Sequence, residues 1–256
     1  MKFWTVFALT LLTLGFGRSW EQITSSKELR VGIRVREGVM SAEKNSGFHY
    51  DLARAFAKKN NLELKLVVKQ NLQDYFSGSV FSECDIVADN VTILSDREKS
   101  MDFAELLPIK QILVSKKGHT PVRNVKLLAD DTIIVAKDSA YYPSIQAKEK
   151  EAGVVFKYFF SSSAADQLKD LMAEKGTITI LDSNLAALSL TDGALTLHGA
   201  VSAKQFVGWG FEKGQSKTGE AVKAFVSEAK SSGTFSKIWD KYIEGISYED
   251  YLKLAQ

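Results

Sequence analysis

The chain has 256 residues, 45% of them hydrophobic, 11% aromatic and 25% charged, a globular composition that excludes a disordered tail. Thirty-three Lys and Arg against 31 Asp and Glu leave a net charge of +2, too weak a field to hold nucleic acid or an anionic membrane surface. The single cysteine, Cys84, excludes an intrachain disulfide and a cysteine-based zinc cluster, and before an apolar run it reads as a core thiol.

Lys2 precedes an uncharged run, residues 6–16, that is too short to span a bilayer and ends at the small residues Gly15 and Gly17. These are the parts of a secretory leader. The expectation is a signal peptide over residues 1–17, cleaved after Gly17, and a mature chain in the periplasm. No cysteine follows the run, so a lipoprotein anchor is not expected.

Residues 29–35 alternate apolar and polar and predict a strand. Phe48, Leu52, Ala55 and Phe56 fall on one helical face, with Asp51, Arg54, Lys58 and Lys59 on the other. A strand over 62–68, a short helix over 72–76 and a strand over 85–91 complete a βαβαβ order, which argues for a mostly parallel sheet with crossover helices. The order repeats as a strand at 132–136, a helix at 142–152, a strand at 154–160, a helix at 164–175, a strand at 177–181 and a helix from Ser183. Two α/β units in one chain predict two lobes, and strand ends facing one another predict a ligand cleft between them. Residues 116–124 read as a loop. Helical patterning returns at 219–230 and again at Phe235, Ile238, Trp239 and Tyr242.

Three segments carry a family resemblance: Gly47-Phe48-His49-Tyr50-Asp51-Leu52-Ala53, Cys84-Asp85-Ile86-Val87-Ala88, and Thr92-Ile93-Leu94-Ser95-Asp96-Arg97-Glu98-Lys99-Ser100-Met101-Asp102-Phe103. The chain resembles the family 3 bacterial extracellular solute-binding proteins over nearly all of its mature length. That resemblance implies a two-lobed, type II periplasmic-binding fold that closes on a small ligand, usually an amino acid. Lobe 1 is expected over 26–107 plus 206–256, lobe 2 over 111–203, and hinges near 108–110 and 204–205. Lys69-Gln70-Asn71-Leu72-Gln73-Asp74-Tyr75-Phe76 and Tyr248-Glu249-Asp250-Tyr251-Leu252 look like the solute-binding-like regulatory domain of membrane-bound lytic transglycosylase F.

The resemblance implies that Arg97 holds a ligand carboxylate, and the residue type agrees, since a guanidinium is a permanently charged planar fork of donors. The competing role is a solvated Arg paired with Glu98 or Asp102. Asn90 and Thr92 occupy positions that complete the first-lobe cradle. Asn90 stands where Gly is common in amino-acid binders, so its side chain narrows the pocket or adds a polar contact; Thr92 serves equally as a turn-capping hydroxyl. Asp182, at the end of a second-lobe strand, is expected to accept from a ligand ammonium, or else to cap the following helix. Ser139, Ala140 and Tyr141 precede a helix whose free N–H groups suit a carboxylate, although Asp138 repels one unless it points away. Tyr141 and Tyr142 supply an aromatic wall or pack the helix. In the loop at 36–44 the family's stacking aromatic is missing, and Met40 is the nearest candidate.

His49, His119 and His198 are dispersed in the sequence and form no metal motif, no Gly-x-Ser-x-Gly elbow is present, and Gly208-Trp209-Gly210 reads as a strand with close backbone approach rather than a dinucleotide fingerprint. The leading expectation is a monomeric, non-enzymatic periplasmic binding protein without cofactor or metal. It would capture an amino-acid-like or carboxylate ligand for an inner-membrane ABC importer. The second is a stand-alone module sensing cell-wall peptides. The third is an enzyme resembling cyclohexadienyl dehydratases, with Arg97 holding the substrate carboxylate and Asp182 as acid.

Overall fold

A computed structural model describes residues 17–36, 45–188 and 193–255. The expected leader lies outside these residues except for Gly17, and so does Met40. The chain begins with α1 (Trp20–Ser26), β1 (Glu28–Arg34), α2 (Phe48–Lys59) and β2 (Glu63–Lys69). After a 3₁₀ turn (Leu72–Phe76) come α3 (Val80–Glu83), β3 (Ile86–Thr92), a second 3₁₀ turn (Arg97–Lys99) and β4 (Asp102–Ile109). The next unit holds β5 (Gln111–Lys116), a 3₁₀ turn (Val125–Asp130), β6 (Thr132–Val135), α4 (Tyr141–Ala152), β7 (Lys157–Phe160), α5 (Gln167–Met172), β8 (Ile178–Asp182), α6 (Ser183–Leu188) and β9 (Leu195–Ala200). Then β10 (Gln205–Phe211), α7 (Ser216–Ser231), α8 (Thr234–Tyr242) and α9 (Tyr248–Leu254) follow. The helix read over 164–175 is shorter, because residues 162–166 are taken up by Ser162 and Ser163 hydroxyls donating to Asp166.

Two five-stranded sheets result, ordered β2-β1-β3-β10-β4 and β7-β6-β8-β5-β9. Helices flank both. The sequential strands pair in parallel, β1 with β2 and β3, and β6 with β7 and β8. The remaining pairs are antiparallel and involve β4, β5, β9 and β10. Gly208 and Gly210 let β10 pass close to its neighbours: a Cβ on Gly208 would lie 2.9 Å from the Ala104 carbonyl oxygen, and one on Gly210 would collide with Met101.

Packing follows the apolar parity. Leu29, Val31, Phe56, Trp209, Phe225 and Trp239 build one core around the first sheet. Ile133, Val135, Ile145 and Ile178 fill one face of the second sheet, and Val114, Ile134, Leu171 and Leu181 the other. Cys84 is a buried core thiol, donating to Val80 O and pushed up to about 12 by burial.

Where the chain passes from β4 to β5, four polar groups join in one run. Lys110 N donates to Ser183 Oγ at 3.2 Å, Ser183 Oγ lies 2.9 Å from Tyr251 Oη, and Tyr251 Oη donates to Pro108 O at 2.6 Å. The C-terminal helix thereby braces the crossing segment and the start of α6, directly after Asp182.

Candidate functional site: a buried charged cleft between the sheets

β3 is buried at every position, yet it carries Asp89 and Asn90. Polar side chains in a fully buried strand cost stability unless partnered, so their partners define the site. Asp89 is saturated. Arg34 reaches it with Nε at 2.5 Å and Nη2 at 3.2 Å, Tyr75 Oη donates at 2.7 Å, and Asn90 N donates at 2.6 Å. Burial alone would raise the Asp89 pKa, but the Arg34 and Arg36 guanidiniums outweigh it and hold the carboxylate well below its ordinary range.

The second sheet contributes Asp182, at the end of β8 and 2% exposed. Its backbone N donates to Tyr141 Oη at 3.2 Å, and its Oδ2 accepts from Asn90 Nδ2 at 3.2 Å. Asn184 Nδ2 in turn donates to Asn90 Oδ1 at 2.7 Å, so Asn90 joins the two sheets through both ends of its amide. Among the described residues Asp182 Oδ1 and Asn184 Oδ1 are buried without a hydrogen-bond partner. Burial raises Asp182 to about 6, against the opposing pull of Arg36 and Arg97.

Arg97 follows β3 and lines the same space. Its Nη1 donates to Thr92 O at 2.9 Å, and its guanidinium lies 5.3 Å from the Phe76 ring centre. It pairs with neither Glu98 nor Asp102; Asp102 takes Lys213 instead. No described carboxylate lies within ion-pair distance of it. Burial lowers its pKa, as it does that of Arg36, whose Nε is buried without a hydrogen-bond partner among the described residues and sits 4.0 Å from Asp89 Oδ1.

The cleft thus gathers Arg97, Asp182, Thr92, Asn90, Ser139 and Tyr141, with different parts to play, but not Tyr142. Arg34, Arg36, Asn90, Thr92 and Arg97 face Ser139, Tyr141 and Asp182 across a cavity of about 30 Å³, room for one or two water molecules. Ser139 Oγ is engaged locally, donating to Ala136 O at 2.7 Å and accepting from Tyr141 N at 3.2 Å, so it occupies one N–H of this helix start, whose N-cap residue Ala140 has no capping side chain. Tyr141 is 4% exposed and supports the Asp182 backbone, while Tyr142 packs edge-on against Tyr158 and Phe160. Asp138 is exposed, but it lines the adjoining space with Arg34 and Arg36, and Arg97 feels its charge.

Arg34, Arg36, Asp89, Tyr75 and Asn184 were not among the expected site residues. A signal existed for two of them: Arg34 and Arg36 share one parity at the end of a strand, hence one face. The histidines, read as dispersed, partly converge: His119 and His198 rings lie 5.6 Å apart beside β9, His119 on Asp131 and His198 on Ser115. Among the described residues no group of three or more potential metal ligands forms. His49 is buried, accepts from Trp209 Nε1, and is lowered to about 4 by burial, so it is neutral.

Residues 29–245 match the model of the bacterial extracellular solute-binding proteins, family 3. A membrane-bound lytic murein transglycosylase F of Desulfosudis oleivorans is 27% identical over 214 residues, covering 82% of this chain and 47% of that protein. The chain spans about half the length of the curated relatives it matches. Among solved structures, a putative binding component of an ABC transporter from Wolinella succinogenes, complexed with lysine, superposes with a TM-score of 0.73 at 22% identity, covering 87% of this chain and 98% of that one. An ancestral amino-acid-binding protein described as a precursor of cyclohexadienyl dehydratase gives 0.74 at 21% identity, covering 88% and 99%. At these identities the likeness shows the fold. Among the described residues no helix is long and apolar enough to cross a membrane.

Proposed function

Because the chain belongs to the bacterial extracellular solute-binding proteins, family 3, we propose that it is a periplasmic, non-enzymatic receptor whose lobes close on a small amino-acid-like ligand. The observation that carries this reading is the polarity of the cleft. Asp182 Oδ1, a buried acceptor without a partner among the described residues, belongs to a side chain that lines the cavity together with Arg97 and Arg36. An α-ammonium would complete Asp182, and an α-carboxylate would pair with Arg97. Thr92 and Asn90 would complete the floor, with Ser139 and Tyr141 as the opposite wall. A cavity of about 30 Å³ is too small for an amino acid, so entry requires the lobes to part and rebinding closes them.

Lobe 1 would be residues 26–107 with 206–256 and lobe 2 residues 111–203, because β4 ends at Ile109 in one sheet and β5 begins at Gln111 in the other. The hinges would be 108–110, braced by Tyr251, and 204–205. A leader over 1–17 would bring the chain to the periplasm, where as a monomer it would deliver its ligand to an inner-membrane ABC permease.

A second reading has its own support. The relatives are lytic transglycosylases F, and a polar vestibule of about 160 Å³, walled by Gln70, Asn71 and Ser139, shares Arg34 and Arg36 with the central cavity. A cell-wall peptide would fill both spaces, and the protein would then be a sensor. A thermal-shift panel of single amino acids, cell-wall tri- and tetrapeptides, and prephenate separates the readings. A ligand at a hundredfold over its Kd adds about 2.7 kcal/mol. A shift with amino acids that vanishes in Arg97→Ala supports the receptor; a shift with peptides alone supports the sensor, one with prephenate the dehydratase-like reading. A shift that survives in Arg97→Ala contradicts the anchor.

A further inference from the structure

Three guanidiniums and two carboxylates meet in the cleft, and their pairing is uneven. Arg34 and Asp89 neutralise each other through a two-point contact. Among the described buried groups Arg36, Arg97 and Asp182 remain, an excess of one positive charge. Arg36 Nε is buried at 4.0 Å from an Asp89 whose lone pairs already serve Arg34, Tyr75 and the Asn90 backbone. Arg97 spends Nη1 on a neutral carbonyl. Among the described residues Asp138 is the further acidic group on these walls; it is exposed, and its pull on Arg97 is the weakest of the influences on that guanidinium, so it does not neutralise the buried excess.

Closing the lobes on a neutral zwitterion would satisfy one guanidinium and Asp182, and would bury the second guanidinium uncompensated. That is the costly case for a buried charge. A cationic amino acid would deepen the excess. We propose that the ligand carries one ammonium and two carboxylates, a net charge of −1: a dicarboxylic amino acid, or a short peptide presenting the same groups. This rests on the amino-acid-like reading of the cleft.

Arg36 is placed to read the second carboxylate. It lines three spaces at once: the central cavity, the polar vestibule, and an apolar pocket of about 100 Å³ walled by Leu168, Leu181, Leu185 and Leu188. A carboxylate is excluded from the leucine pocket by desolvation and is accommodated by the vestibule, whose walls carry Arg34, the Gln70 and Asn71 amides and three serines beside the exposed Asp138. With Arg97 on one carboxylate, Asp182 on the ammonium and Arg36 on the second carboxylate at the vestibule mouth, the buried charges balance.

The test is a calorimetric titration of the chain with L-glutamate, L-aspartate, L-glutamine, L-lysine and the dipeptide Ala-Glu. One of the dicarboxylic probes should bind at least about 30-fold tighter than glutamine, and lysine should bind weakest. Tightest binding by Ala-Glu identifies a peptide as the source of the charge pattern; tightest binding by glutamate or aspartate identifies the free amino acid. In Arg36→Gln the preference over glutamine should shrink to about threefold or less, through lost affinity for the dicarboxylic probe. Glutamine or lysine binding as tightly as the dicarboxylic probes overturns the charge rule and leaves the amino-acid receptor standing. Binding of none of the five overturns both. The wild-type ranking decides the question even if Arg36→Gln does not fold.

Discussion

Asp89, in the middle of β3, and Asp182, at the end of β8, sit on the central strands of the two sheets, both buried, and differ in what they touch. Asp89 has Arg34, Tyr75 and a backbone N–H around it; Asp182 has one amide on Oδ2 and, among the described residues, nothing on Oδ1. Their pKa values part accordingly: Asp89 is held far down by the guanidiniums that outweigh its burial, and Asp182 is driven up to about 6 by burial. A saturated buried carboxylate fits a scaffold role, and an unsaturated one fits the binding role proposed for Asp182, held ready at a cost in stability.

The largest expected effect separates them directly. Asp89→Ala should cost about 3–5 kcal/mol in chemical denaturation, since it strands Arg34 and Tyr75 in the interior. Asp182→Asn should leave the ligand-free protein as stable or more so while weakening binding about a hundredfold by calorimetry. Equal destabilisation by both would break the comparison.

The pH dependences should run in opposite senses. In the ligand-free protein the neutral form of Asp182 is favoured, so its contribution is full below the ordinary 3.8 and is lost as pH rises through about 6. Asp89, depressed in the fold, contributes fully above the ordinary carboxylate range and loses that contribution as pH falls below it. Denaturation of Asp182→Asn against wild type should therefore show a stability gain of about 1–3 kcal/mol that opens between pH 4 and 6 and stays level above it. A difference that is flat with pH would contradict the assignment.

A smaller effect concerns the bridge between the sheets. Asn90→Ala removes the contacts to Asp182 and Asn184 and should weaken the closed, ligand-free form by about 1 kcal/mol, seen as a larger radius of gyration in solution scattering. An unchanged radius would show that the closed form does not depend on that bridge.

Much of this architecture is legible in the chain. Parity and helical spacing find β1, α2, β3, β6, α4 and β8, because each is an apolar pattern bounded by local signals. They pass over β4, where Pro108 argues against a strand interior; β4 is the sheet edge, so the missing N–H on its outer side is tolerated. The same split holds for the cleft. Arg97, Asp182, Asn90 and Thr92 are visible through motif position, whereas Arg36 and Asp89 become significant only when β1 and β3, some 50 residues apart in sequence, lie side by side.

The most direct test of the contrast between the two carboxylates is the proton count on binding. Calorimetry at pH 6 with the tightest-binding amino acid, in two buffers of different ionisation enthalpy, should show about half a proton released per ligand as its ammonium forces Asp182 to ionise. Asp182→Asn should release none. No release by the wild-type protein, or an equal release by the variant, would contradict the account.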